Sequence, residues 1–181
     1  KIKKFSRAIA LIAVALITFF ILNLPPAKIE QMESWGYPGI FIMSFLANAT
    51  LLLPAPGLLF VFAIAARFPV AKVALFSGLG ATLGELSGYL AGFGGQGVIS
   101  NSDLYQKMVD WTEKRGPIAV MVFAFIPNPF FDLTGMAAGA LKMPIRTFLL
   151  WAFIGKYFKM YLTALAGAGF FSAPWISTIF S

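Results

Sequence analysis

Glu85 is where chemistry would be expected first. It lies inside an apolar stretch, Val73 to Phe93, long enough to cross a bilayer. A carboxylate at that depth costs about 3 kcal/mol on insertion scales, so it requires a partner or water. Gly78, Ala81, Glu85, Gly88 and Gly92 share one helical face at about 100° per residue. A face of small residues either lets another backbone approach closely or leaves room for a polar ligand. Two readings therefore stand together: a packing seam that tolerates one acid, or a polar track with the acid on it.

Lys156 and Lys159 supply the opposite charge. They occupy a second apolar stretch, Phe148 to Gly169, and share a face with Thr163 and Gly167. Counting about 1.5 Å per residue inward from Lys72 and Arg146 brings Glu85 and Lys156 within about 5 Å in depth. An ion pair between them is geometrically allowed. Either lysine could instead snorkel to an interface, which is harder for the more central Lys159. A third group follows a proline break. Asn128-Pro129 reads as a helix start, with Asn as N-cap and Pro in the first turn, and Asp132 falls where the helix dipole favours it. The N–H groups aimed by such a half-helix attract anions such as phosphate. Asp132 opposes that unless it is protonated or paired with Lys156. In the plainer reading Asn128 and Asp132 only cap the break.

Enzyme chemistry has little to work with. The chain has no Cys and no His, which removes thiol chemistry and the commonest general base and metal ligand. GxSxG, HExxH and zinc spacings are absent. Phe153-Ile154-Gly155-Lys156 lacks the upstream Gly of a phosphate-binding loop. We expect a transport protein without ATPase function, metal or cofactor.

The elements that must position these residues read as membrane helices. Of 181 residues, 59% are hydrophobic and 12% charged, against about 25% charged in soluble domains. The net charge of +7 fits membrane topology better than nucleic acid. Residues 1–24 predict a retained N-terminal transmembrane helix, with a signal peptide as the alternative. Residues 25–38 predict an interfacial loop. Two proline breaks, Pro54-Ala55-Pro56-Gly57 and Pro127-Asn128-Pro129, then interrupt apolar runs too short to cross. Backbone broken at membrane depth must be buried in protein or line a watery cavity. We therefore expect two re-entrant hairpins, 39–67 and 117–142, each followed by a spanning helix, 71–93 and 146–169. An amphipathic connector at 98–115 lies on the surface, with Leu104, Met108 and Trp111 as its apolar stripe, and 170–181 is an apolar tail.

The two units repeat. The proline breaks align, Arg67-Phe68-Pro69 aligns with Lys142-Met143-Pro144, and Gly80 and Gly155 share a register. If each hairpin re-enters, the N-terminus is cytoplasmic. Inner segments then collect Lys1, Lys3, Lys4, Arg7, Lys107, Lys114, Arg115, Lys142 and Arg146, and outer ones Lys28, Arg67 and Lys72. The expected fold class is an all-α membrane bundle with two oppositely oriented re-entrant hairpins forming an inverted repeat.

The chain also resembles the DedA/VTT family, also called SNARE-associated Golgi proteins, over about Gly39 to Gly169. Gly84-Glu85-Leu86-Ser87-Gly88-Tyr89 is similar to the family's acidic glycine-rich helix. Ile126-Pro127-Asn128-Pro129-Phe130-Phe131-Asp132-Leu133-Thr134-Gly135, with Gly139 and Ile154-Gly155-Lys156, resembles the vacuole membrane protein-type branch. Gly84, Gly88, Gly135, Gly139 and Gly155 become expected helix-packing glycines. The resemblance implies facing re-entrant hairpins and movement of lipid between leaflets, through a path lined by Glu85, Asn128, Asp132, Lys156 and Lys159. Its substrates would be phospholipids, as in eukaryotic members, or polyprenyl phosphate with proton dependence, as in bacterial ones. Where many DedA-type sequences carry an acid after the first break, this chain has Gly57-Leu58-Leu59. Where they carry arginines around the second, it has Phe125, Asn128 and Phe130. Glycerophospholipid fits that pattern better. A proton- or ion-coupled transporter of small solutes and a non-transporting scaffold are the alternatives. The expected location is integral to the membrane, the plasma (inner) membrane in a prokaryote, with a homo-oligomer allowed and no nucleic-acid partner.

Overall fold

The computed structural model describes residues 35–49, 57–94, 103–126 and 131–172. All regular structure among the described residues is helical: α1 (Tyr37–Ala49), α2 (Gly57–Ile64), α3 (Val70–Gly84), α4 (Leu86–Gly94), α5 (Asp103–Arg115), α6 (Pro117–Phe125), α7 (Phe131–Ala140) and α8 (Ile145–Phe171). The protein is all-α.

Prolines set the starts of its longest segments. Pro69 and Pro144 precede α3 and α8 in extended conformation, at φ −54, ψ 125 and φ −56, ψ 129. A proline there forgoes only an N–H that no helical carbonyl would have accepted. Their carbonyls accept from Val73 and Phe148, both at 3.0 Å. α6 starts at Pro117 behind Gly116, whose φ of 54 is open to a residue without a Cβ. α7 ends with Lys142 N–H on the Gly139 carbonyl and Met143 N–H on that of Ala138, both at 3.0 Å. That pair is a Schellman termination, and it holds Lys142 at φ 56, where glycine is usual.

Two apolar clusters carry the packing. Ile40, Val61, Val73, Ala74, Met160 and Ala164 join α1, α2, α3 and α8. Tyr89, Val120, Ala124, Ala138, Phe148 and Ala152 join α4, α6, α7 and α8. Tyr89 closes the second cluster with its hydroxyl, which donates to the Met143 carbonyl at 2.6 Å.

The contacts repeat as the sequence does. α1 packs on α3, and correspondingly α6 packs on α8. The second short helix of each unit crosses over: α2 packs on α8, and α7 packs on α4. Glycines at one register make all four approaches. A Cβ on Gly80 would overlap the Phe41 carbonyl in α1, and one on Gly155 the Met121 carbonyl in α6. A Cβ on Gly92 would overlap Met136 in α7, and one on Gly167 would overlap Phe62 in α2. Each long segment thus holds its own unit's first short helix with one glycine and the other unit's second short helix with the next.

The structure departs from several expectations. The helix predicted over 71–93 is divided at Glu85 into α3, of 15 residues, and α4, of 9. α8, of 27 residues, is about 40 Å long, but Arg146, Lys156 and Lys159 interrupt its apolar character. No helix among the described residues is both long and apolar enough to cross a membrane. The interfacial loop gives way to α1 at Tyr37, and α5 covers the helical part of the expected connector, whose residues 98–102 lie outside the described residues. The expected N-terminal helix, the breaks at Pro54, Pro56, Pro127, Asn128 and Pro129, and most of the tail lie outside the described residues. α1 with α2 and α6 with α7 flank those breaks, and Gly57 opens α2.

Candidate functional site

Three segments bring their polar residues to one point. Glu85 sits at the α3–α4 junction at φ −65, ψ −11. Its N–H still reaches the Ala81 carbonyl at 3.2 Å, and its carbonyl accepts from Tyr89 at 3.0 Å. The Ser87 hydroxyl donates to the Gly84 carbonyl at 3.0 Å, which serves an acceptor at the break. Gly84 lies against the backbone of Phe45, Asn48 and Ala49, so the junction is pressed onto α1.

Lys156 comes from the middle of α8. Its ammonium donates to Glu85 Oε1 at 2.6 Å and to Asn48 Oδ1 at 2.6 Å. Asn48, on α1, is oriented by its own amide, which donates to the Ser44 carbonyl at 2.8 Å. The ion pair is dry: the Lys156 side chain is 0% exposed and that of Glu85 2%. Removing one partner of such a pair leaves a buried charge uncompensated, which typically costs about 3–5 kcal/mol. Of the three buried side-chain polar atoms without a hydrogen-bond partner among the described residues, two lie here, Glu85 Oε2 and Ser44 Oγ, and the third is Thr112 Oγ1 on α5.

α7 covers the other side. A Cβ on Gly135 would lie 3.6 Å from Glu85 Oε2 and 3.5 Å from the Tyr89 nitrogen, which is ordinary contact. Gly135 therefore borders the carboxylate, with room for one methyl group. Gly139, one turn on, is pressed against the Tyr89 carbonyl, and Gly155 against Met121. Gly88 is buried in α4. Lys159 is buried one turn beyond Lys156, and its carbonyl accepts from the Thr163 hydroxyl at 2.9 Å. Asp132 lies in the first turn of α7, on the helix that carries Gly135; its side chain and all of Asn128 lie outside the described residues.

Of the residues singled out from sequence, the structure joins Glu85 to Lys156 and places Gly135 beside them. Asn48 and Ser44 were missed. Their signal was present: both are polar and one turn apart in the run from Gly39 to Leu53, where Thr50 is the only other residue with a polar side chain. Among the described residues no group of His, Asp or Glu could hold a metal ion.

This arrangement is an all-helical bundle of two like units around a buried ion pair. Residues 53–169 match the VTT domain, and the chain belongs to that family, the DedA family. VTT-domain proteins are membrane-associated, and membrane association of this chain follows from that membership. A Haemophilus influenzae protein described as uncharacterized is 27% identical over 104 residues, covering 54% of this chain and 54% of its own length. The chain thus spans about half the length of that relative. The comparisons support the family and not the vacuole membrane protein-type branch. No solved structure matches the chain.

Proposed function

We propose that this chain is an integral membrane protein that moves phospholipids between leaflets, a scramblase or flippase rather than an enzyme. The observation that carries the reading is the Asn48–Lys156–Glu85 network, a charged cluster buried where α1, α8 and the α3–α4 junction meet. Ionisable groups kept inside an apolar bundle commonly mark a pathway. The exterior suits lipid: Leu75, Leu79 and Leu83 on α3 and Phe158, Leu162 and Leu165 on α8 are exposed. The two short-helix pairs act as re-entrant hairpins of opposite orientation, which agrees with the crossed packing of α2 on α8 and α7 on α4. The headgroup passes along the polar cluster while acyl tails stay in lipid. Asn128, Asp132 and Lys159 extend that track, and the N-terminus is cytoplasmic.

The test is leaflet exchange of an acyl-labelled phospholipid in liposomes containing the purified protein. Exchange several-fold faster than in empty liposomes is expected. No acceleration with folded protein removes the reading. The second reading, a proton- or ion-coupled small-solute transporter, is favoured by one atom, Glu85 Oε2, which has no donor among the described residues. It requires saturable solute uptake driven by an ion gradient, whereas scrambling needs none.

A further inference from the structure

We propose that Tyr89 is the gate between the polar cluster and the end of the bundle that carries the α7–α8 turn, the cytoplasmic end in the proposed topology. The inference rests on the transport reading above and assigns that reading a further residue. Tyr89 lies one turn beyond Glu85 on α4, and its N–H bonds to the Glu85 carbonyl at 3.0 Å. Its hydroxyl donates to the Met143 carbonyl at 2.6 Å, across the gap to the turn. That acceptor is held in place, because the Met143 N–H bonds to the Ala138 carbonyl at 3.0 Å and Pro144 follows. The Tyr89 ring packs on Phe148 of α8, with centroids 5.1 Å apart. One side chain from α4 thus reaches both α8 and the turn that joins α7 to it.

The spacing of α4 and α7 shows what Tyr89 closes. Gly135 lies by Glu85 and Tyr89, and Gly139 by Tyr89 and Phe93, so the two helices run parallel from the polar cluster toward the turn. They stand apart at the cluster, where a Cβ on Gly135 would lie 3.6 Å from Glu85 Oε2. One turn on they pinch: a Cβ on Gly139 would overlap the Tyr89 carbonyl, and one on Gly92 the Met136 carbonyl. A headgroup leaving Glu85 in this direction must part α4 from α7, and the buried Tyr89 stands in that seam. Parting the helices there takes the hydroxyl from its acceptor, so the bond to Met143 holds the seam shut. The other unit differs. The register that pairs Pro69 with Pro144 and Gly92 with Gly167 puts Ala164 in the place of Tyr89, and that buried methyl group has no donor to give. The hydroxyl latch therefore stands at this end and not at the equivalent place in the other unit.

Tyr89→Phe keeps the ring and removes the hydroxyl. In liposomes containing the whole protein it should speed leaflet exchange of an acyl-labelled phospholipid about three- to tenfold, as the loss of one neutral hydrogen bond from the closed state implies. A rate equal to or below that of the unsubstituted protein would overturn the gate, because a tyrosine that only supports the fold gives loss of transport and not gain. A second measurement does not depend on lipid movement. The chain has no cysteine, so Gly135→Cys sets a lone thiol beside Glu85. A small charged methanethiosulfonate, added on the side from which Lys142→Cys is labelled, should react with that thiol faster by the same factor when Tyr89→Phe is also present. Equal reactivity with and without the hydroxyl would overturn the gate whether or not lipid moves. If the thiol is exposed by Tyr89→Phe and no lipid moves in either protein, the gate stands and the transport reading fails.

Discussion

Lys156 makes a buried ion pair and a second charge-assisted hydrogen bond, and each is shorter than the usual N–H···O distance. Such a pair need not stabilise the fold relative to apolar residues of equal volume, yet breaking it from one side is costly. Lys156→Met should therefore lower stability in detergent by about 3–5 kcal/mol, because Glu85 is left alone. The double variant Glu85→Leu with Lys156→Met should regain most of that loss, while leaflet exchange stays absent. A double variant that transports normally would assign the pair to packing. Asn48→Leu removes one hydrogen bond to a cation and should cost less, about 1.5–3 kcal/mol. Thermal unfolding of the three variants side by side ranks these effects.

Between helices, glycine decides how closely the units dock. Gly167 and Gly169 lie two residues apart on α8 in opposite situations. Gly167 faces the Phe62 backbone with no room for a Cβ, whereas a Cβ on Gly169 meets nothing within 4 Å. Gly167→Ala should destabilise by about 1–3 kcal/mol through overpacking. Gly169→Ala should be neutral or stabilise by up to about 1 kcal/mol, since alanine loses less backbone entropy in a helix. A common effect of both on the melting temperature would show that helix propensity, not the α2–α8 seam, controls stability there. The break at Glu85 belongs to this scale too. α3 is pressed onto α1 and α8, while α4 packs on α7, so the chain changes partners where it loses helical regularity.

At the scale of the molecule, the proposed opposite orientation of the two units is directly measurable. The chain has no cysteine, so single cysteines report without background. Arg67, before α3, and Lys142, before α8, are both exposed at corresponding turns. Arg67→Cys should react with a membrane-impermeant maleimide from the outer side only, and Lys142→Cys from the cytoplasmic side only. Labelling of both from one side would rule out an inverted arrangement and with it the paired re-entrant hairpins.

Much of this protein could be read from local physics. Proline has no N–H and a preset φ, so Pro69, Pro117 and Pro144 announce helix starts wherever the rest of the chain lies. Helical periodicity needs only neighbours, which is why α5, α6 and α8 were legible and why Glu85 and Lys156 stood out against apolar surroundings. The division at Glu85 was not legible, because it depends on Gly84 being held against α1. The part played by Asn48 was not legible either, since it is 108 residues from Lys156. Which face of a helix meets which neighbour depends on rotation and on closeness of approach. Those are set when Gly80, Gly92, Gly155 and Gly167 seat against carbonyls of other helices. The sequence by itself determined the helices, their starts and the isolated charges. Only the tertiary structure decided that Asn48, Lys156 and Glu85 converge, because that meeting is a property of docked surfaces and not of any one segment.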